Sequence, residues 1–582
     1  MSYDVLIRSA TIIDGAGDAA YTGDVAISGD RIVEIGRLTG AARKTIDAEG
    51  LALLPGFVDI HTHYDGQASW DGMLAPSSIN GVTSVAMGNC GVGFAPAKKE
   101  EEAHRKLISL LEGVEDIPGT ALTEGLTWDW ESFPDYLDAL ERRCYAVDVS
   151  AHVPHAALRL YVMGERGYDH SEAPTEADIA AMEAATFEAI KAGAIGFSTS
   201  RTFLHKDRDG VSINTFTASE TELGGAARAL RRAGAGVFQL VSDAYSSADE
   251  DLARREMKLI ADIGRTSGRP ISFSLMQADA CPRRYRDLLQ QTAALNREGL
   301  TVRCQVAPRP VGVILGFLIS FNPFHASPTF QTTARRPVAE IYAHLSRDDV
   351  KRAIVSETRQ NPDRSASAES LRRFSMMFRM SDPVDYEPAP EESLEAEASR
   401  LGKDVLEHVY DVLLEDKAER LIYIPFFNYS DGNLDAVYEM MIDQYALFGL
   451  SDAGAHCGMI SDGTFPVSAI DLWRRGSRNS PRIPVELLVH GYTQRNASHV
   501  GWFDRGVIAP GYKADINLVD LDSLALPPPA SVYDLPAGGL RLMQASRGIR
   551  YTLKSGVISF ENGRSTGELR GRLLRGPQHI GA

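Results

Sequence analysis

Eight short apolar runs, separated by stretches of helical periodicity, limit what this 582-residue chain can fold into more than any other feature. They are Phe57 to His61, Val82 to Met87, Ala146 to His152, Ala194 to Thr199, Gly236 to Val241, Pro270 to Met276, Leu300 to Val306 and Ala446 to Ser451. Strands that alternate with helices pair in parallel, because each crossover returns the chain to the same end of the sheet. The spacer opening on Thr175 shows the helical signal: a capping residue, then apolar positions at helical spacing through Ile190. Eight such units predict an α/β fold, a TIM-like (β/α)8 barrel.

The two ends of the chain read differently. Asp4 to Asp14 and Asp24 to Gly36 are alternating runs, with Gly29-Asp30 as hairpin chemistry inside the second, and Ala514 to Leu521 and Arg550 to Gly563 resume the pattern. One small β-sandwich domain built from both termini, residues 1–55 and 501–582, therefore flanks a barrel over 56–500. The gap before the last barrel strand is too long for a loop, so residues 308–440 are expected to be an inserted subdomain. Within it, Ser381 to Ser393 reads as exposed, and Val311 to Phe321 as buried or as a wall of a substrate pocket.

Charge and sorting signals narrow the partners. A formal net charge of -18 argues against nucleic acid, whose binding draws on basic patches. The segment Val311 to Phe321 is about half of what crosses a bilayer, so no membrane span is expected. The first residues carry no basic stretch followed by a long apolar one, and the five cysteines are odd in number without CxxC spacing. A cytoplasmic location and a small-molecule substrate are the expectation, with a homo-oligomer left open.

Reactive side chains of such barrels sit at the C-terminal ends of the strands. Those ends carry His61 and His63, Gly88 to Cys90, His152 and His155, Ser198 to Arg201, Gln239, Ser274, Arg309 and Asp452. Residues i and i+2 of a strand share a face, so His61 and His63 can present two imidazoles to one metal ion. A metal hydrolase needs nitrogen or thiolate donors, an open position for water and a carboxylate to take its proton; His61, His63, Cys90 and Asp452 supply all of these.

The chain resembles the amidohydrolase superfamily, and within it the N-acyl-D-amino-acid deacylase branch. The resemblance rests on LPGFVDIHTHYD at Leu54 to Asp65, GVTSVAMGNCG at Gly81 to Gly91, AGAIGFST at Ala192 to Thr199, LSDAGAH at Leu450 to His456 and RGVIAPGYKADI at Arg505 to Ile516. It implies metal binding by His61, His63 and Asp452, with Asp452 as general base, and Cys90 as a further ligand. It implies hydrolysis of an amide bond in an N-acyl amino acid or related small amide or peptide.

The chain also departs from that pattern. The family's metal-binding histidines on the fifth and sixth strands are missing from Val237 to Ser242 and Ile271 to Met276, and no lysine stands in the fourth-strand segment. One Zn²⁺ rather than two is therefore expected. Leu275 stands where the family places a lysine for the substrate carboxylate, which points to a neutral or apolar substrate. His152 and His155 are candidates to polarise the substrate carbonyl, Arg201 to hold an oxyanion or acidic group, and His456 to orient Asp452. Two alternatives stay open: an iron centre of two imidazoles and one carboxylate, and a non-catalytic metal- or ligand-binding protein.

Overall fold

The computed structural model describes residues 2–363 and 369–581. All eight anticipated strands form one parallel sheet in chain order: Phe57–Asp59, Val82–Met87, Asp148–Pro154, Gly196–Arg201, Val237–Ser242, Ile271–Ser274, Val302–Val306 and Ala446–Phe448. A parallel bridge between Thr62 and Ala453 joins the first strand to the last and closes the barrel at its C-terminal mouth. The barrel strands are almost entirely buried, as a parallel sheet covered by helices must be.

Local chemistry accounts for the helices and for the strand ends. The helix Glu176–Ala192 begins with Thr175 accepting from the Asp178 amide while the Asp178 carboxylate accepts from the Thr175 amide, and it stops at Gly193 with φ 114°. The first strand leaves its ladder earlier than its apolar run suggests. The His61 amide donates to the Asp59 carboxylate (3.1 Å) rather than to a neighbouring strand, which frees the backbone to turn at the mouth. The last strand ends early because Leu450 (φ 62°) and Asp452 (φ 45°) are left-handed.

Both termini contribute to one nine-stranded sheet. Its seam is the antiparallel pairing of Ala52–Pro55 with Ile516–Val519, and it branches at Tyr3–Ile12, which pairs with Tyr21–Ser28, Ala42–Asp47 and Ala52–Pro55. Val5, Ile7, Val25, Ile27, Leu53, Ile516, Leu518 and Leu553 form its core.

Before the last barrel strand the chain builds a three-stranded antiparallel sheet, with Ile422–Phe427 between Val311–Leu315 and Phe378–Arg379, packed with helices. Phe317 and Phe324 pack edge-on against Tyr410, and Phe330 joins them, so these rings fill the insertion's own core rather than a substrate wall. The Ser381 to Ser393 segment is less exposed than its composition suggests: Tyr386 is buried, with the Arg309 guanidinium 3.7 Å from its ring centre. Among the described residues, no helix is long and apolar enough to cross a membrane.

A buried charge cluster ties the barrel to the terminal sheet. Lys554 Nζ bridges Asp148 and Asp515 at 2.7 Å each, and Arg505 also pairs with Asp148. Burial pushes the Asp148 carboxyl up, but Lys554 and Arg505 outweigh it and hold it below the usual range. Its folded value lies below its unfolded one, so this contribution to stability is present at neutral pH and fades as the pH falls below about 4. Removing one partner leaves uncompensated buried charge, so Asp148→Asn is expected to cost about 3–5 kcal/mol in urea unfolding at pH 7.

Candidate metal centre

The end of the first strand presents two rings on one face. The Thr62 backbone and hydroxyl both bond the Ala86 carbonyl, and the His63 amide donates to the Ala453 carbonyl (2.8 Å), which pins the segment between the second and eighth strands. The ring centres of His61 and His63 are 5.6 Å apart. The His61 Nε2 lies 3.2 Å from the Cys90 Sγ and 3.2 Å from the Asp452 Oδ1, and the His63 Nε2 lies 3.5 Å from the same oxygen. Donor atoms of His61, His63 and Cys90 all fall within 4.8 Å of one another.

The GNCG motif is shaped to deliver its thiol. Gly88 (φ 75°) and Cys90 (φ 56°) are both left-handed. A side chain at Gly88 would meet the His152 carbonyl at 2.6 Å, and one at Gly91 the Thr199 Cα at 2.8 Å, so both positions require glycine. Gln239, on the fifth strand, accepts from the Cys90 amide (3.0 Å), and its buried Nε2 has no partner.

Asp452 owes its place to the broken end of the eighth strand. Ser451 Oγ lies 2.5 Å from Asp59 Oδ2 and 3.0 Å from the His61 carbonyl, which turns Asp452 toward the imidazoles. Burial raises its carboxyl, but contact with His61 and His63 outweighs that and holds it well below the usual carboxylate range.

The donor set suits a cation. The Nε2 of His63 and the Oδ1 of Asp452 are buried without a hydrogen-bond partner. Burial, then the charges of Glu115, Asp452 and Asp65, pushes the Cys90 thiol up; burial, then Asp452 and Asp65, does the same to Glu115; burial raises Asp65 to about 7. Among the described residues no lysine or arginine pairs with this crowd of acids, so a bound divalent cation is what would relieve it. Two neutral imidazoles, a thiolate and a carboxylate are the ligand types zinc takes.

The other anticipated residues are placed differently. Both nitrogens of His155 are used inside the fold, Nδ1 at 2.9 Å from Thr199 Oγ1 and Nε2 at 3.0 Å from Glu222, which also binds Arg159. Arg201 forks onto Glu256 (2.7 Å) and bonds the Ala218 carbonyl. Both ring nitrogens of His155 are thus engaged inside the fold, and Arg201 has a carboxylate of the protein itself as its counter-ion. His152 is buried in the barrel wall with Nδ1 unpartnered, outside the donor group, and burial presses it to about 3. His456 Nε2 lies 3.7 Å from Glu115, and Asp452 is close enough to act on its ring electrostatically. Leu275 is fully buried, its amide donating to the Gln305 carbonyl (2.9 Å).

Four neighbours of the centre were not singled out from sequence. Gln305 Oε1 sits 2.5 Å from His61 Nδ1, with its own amide donating to Ser272, which assigns the ring proton to Nδ1 and leaves the lone pair of Nε2 free for a metal. Glu115 Oε1 lies 3.3 Å from His63 Nδ1. His205, in the hairpin after the fourth strand, holds Ser200 Oγ at 2.8 Å and is pressed to about 3 by burial and by the imidazoles of His63 and His456. Tyr245 follows the fifth strand and meets Phe427 of the insertion edge-on, ring centres 5.9 Å apart. Gln305 had a sequence signal, a buried polar residue inside an apolar strand; the other three stand on excursions whose course the sequence does not give.

Fold and donor set together define a barrel protein with side chains that could ligate a metal gathered at its C-terminal mouth. The amidohydrolase family model matches residues 44–560, and the chain belongs to that family. It is 38% identical over 198 residues to a D-aminoacylase of Alcaligenes xylosoxydans xylosoxydans, and 32% identical over 270 residues to an N-acyl-D-glutamate deacylase of the same organism. These matches cover 34% and 46% of this chain and only 37% and 48% of the relatives' length. A D-aminoacylase crystal structure aligns with a TM-score of 0.62 at 22% identity, over 98% of this chain and 100% of that one. The N-acyl-D-glutamate deacylase from Bordetella bronchiseptica, complexed with zinc and a phosphonate inhibitor, gives 0.63 at 24% identity, over 99% and 100%. Both share the fold.

Proposed function

We propose that the chain is a zinc-dependent amidohydrolase, cleaving the C–N bond of an N-acyl amino acid or a related small amide or peptide. One zinc ion would be held by His61, His63 and Asp452 together with Cys90. The observation that carries this reading is the clustering of two imidazole nitrogens and a thiol at the barrel mouth, with the Asp452 Oδ1 within 3.5 Å of both imidazoles. The relatives support it, since N-acyl-D-amino-acid deacylases are among them.

A bound zinc ion would act as a Lewis acid and bring the pKa of water to about 7. The chain's own residues do the rest. Gln305 keeps the His61 ring turned so that Nε2 faces inward. Asp452 is ionised and, with 27% of its side chain exposed, is open to the mouth, whereas both imidazoles are buried at 1%. It can take the proton of the attacking water and hand it to the leaving nitrogen as the C–N bond breaks. Tyr245 and Phe427 supply an apolar wall beside the fifth strand.

Leu275 shapes the substrate reading. An apolar residue in the place of a carboxylate-binding lysine favours amides that are neutral at that end. The test is zinc per purified chain alongside turnover of N-acyl-D-amino acids, small peptides and neutral amides. Bound zinc with neutral amides turned over best is the expected result. A protein that hydrolyses none of them would sink the activity, and a strong preference for N-acyl-D-amino acids would sink the reading of Leu275.

A further inference from the structure

Glu115 is the last residue of the helix Glu101–Glu115, in the long excursion between the second and third barrel strands. The buried face of that helix, Leu107, Leu110, Leu111 and Val114, runs straight on into this carboxylate, which is 2% exposed. A negative side chain at a helix C-terminus is opposed by the helix dipole, and a buried one by desolvation. A packing role alone would be served better by leucine, so the charge calls for a compensating function.

Its surroundings supply one. Glu115 Oε1 stands 3.3 Å from His63 Nδ1, and both atoms are buried without a hydrogen-bond partner, so the two unsatisfied groups face each other. Its other oxygen stands 3.7 Å from His456 Nε2, and its backbone carbonyl accepts from the His456 amide. Glu115 thus touches the strand that carries His61 and His63 and the loop that carries Asp452. The fifth and sixth strands, meanwhile, bring Gln239 and Ser274 to the barrel mouth, neither of which offers a ring nitrogen.

We propose that Glu115 is a positioning residue of the metal centre: its carboxylate receives the Nδ1 proton of His63, fixing the ring so that Nε2 faces Asp452 and His61 and making it a stronger donor. The inference rests on the metal-site reading above. Gln305 does the same for His61 as a neutral acceptor, so the two rings are held by partners of different charge. Carboxylate partners of this kind commonly change metal affinity by about 10–100-fold.

The test is titration of zinc-free full-length protein with Zn²⁺ against a chromophoric chelator, with Co²⁺ absorption as a second readout of ligand geometry. Glu115→Leu is expected to weaken Zn²⁺ binding about 100-fold, and Glu115→Gln, which keeps an acceptor but loses the charge, about tenfold. A folded Glu115→Leu that binds Zn²⁺ like the wild type overturns the proposal. Should that variant fail to fold, Glu115→Gln decides alone, and unchanged affinity in it overturns the proposal. Wild-type protein that binds Zn²⁺ yet hydrolyses no amide would refute the proposed activity while leaving Glu115 to be judged by the titration.

Discussion

Asp452→Asn is expected to keep zinc bound and to lower kcat by about 10³-fold, with KM changed severalfold at most. The size follows from the role: a positioned general base contributes about 10²–10⁴, and asparagine cannot accept the proton of the attacking water at neutral pH. The substitution suits the question because Asp452 is left-handed, with φ 45°, a conformation that asparagine tolerates as well as aspartate does. The turn that sets its direction, Ser451 Oγ against Asp59 and the His61 carbonyl, does not involve the carboxylate. The amide oxygen of asparagine can still face the two imidazoles, so the ion should stay. The measurement is kcat and KM with zinc per chain in one preparation. Activity within a few-fold of wild type at full zinc would remove Asp452 from the chemistry.

The sequence carried the barrel and the ends of its strands because both depend on local periodicity. Apolar runs and capped helices such as Glu176–Ala192 are set by residues close in the chain, and the eight strands appear where those signals place them. The first and last strands end earlier than their apolar runs suggest. At the first, Asp59 takes the His61 amide; at the last, Leu450 and Asp452 turn left-handed and Ser451 Oγ takes the Ala453 amide. His61, His63, Cys90 and Asp452 were legible from strand-end logic and the family resemblance together.

What stayed hidden depends on contacts distant in the chain. Glu115 meets His63 across 52 positions of sequence, from a helix whose direction nothing local fixes. His155 and Arg201 looked functional because they stand at strand ends, yet each has a carboxylate from a helix, Glu222 and Glu256, waiting for it. A sequence shows the charge of an arginine but not its counter-ion, and whether the counter-ion is substrate or protein is a question of packing. The same question decides the aromatic residues of the insertion: Phe317, Phe324 and Phe330 are apolar enough for a pocket, but a subdomain with its own sheet needs a core, and they fill it.

Replacing His61 or His63 by alanine is expected to empty the centre, because few other donors remain. Four-ligand structural zinc sites bind with about 10–16 kcal/mol, roughly 3 kcal/mol per ligand, so losing one ring should weaken binding on the order of 10²–10³-fold. In a barrel with histidines on its fifth and sixth strands such a loss could be shared. Here those strands bring Gln239, which is already committed to the Cys90 amide, and Ser274. The control is His155→Ala. That ring is equally buried but bonds Thr199 and Glu222, so its loss should lower the unfolding midpoint by leaving Glu222 and Arg159 to re-pair, with zinc content unchanged. The contrast separates a ligand from a structural histidine at matched burial. Dialysis against chelator followed by metal analysis, with urea unfolding of each variant, reads both effects. Full zinc in His61→Ala and His63→Ala would move the metal away from the first strand altogether, and with it the base assigned to Asp452.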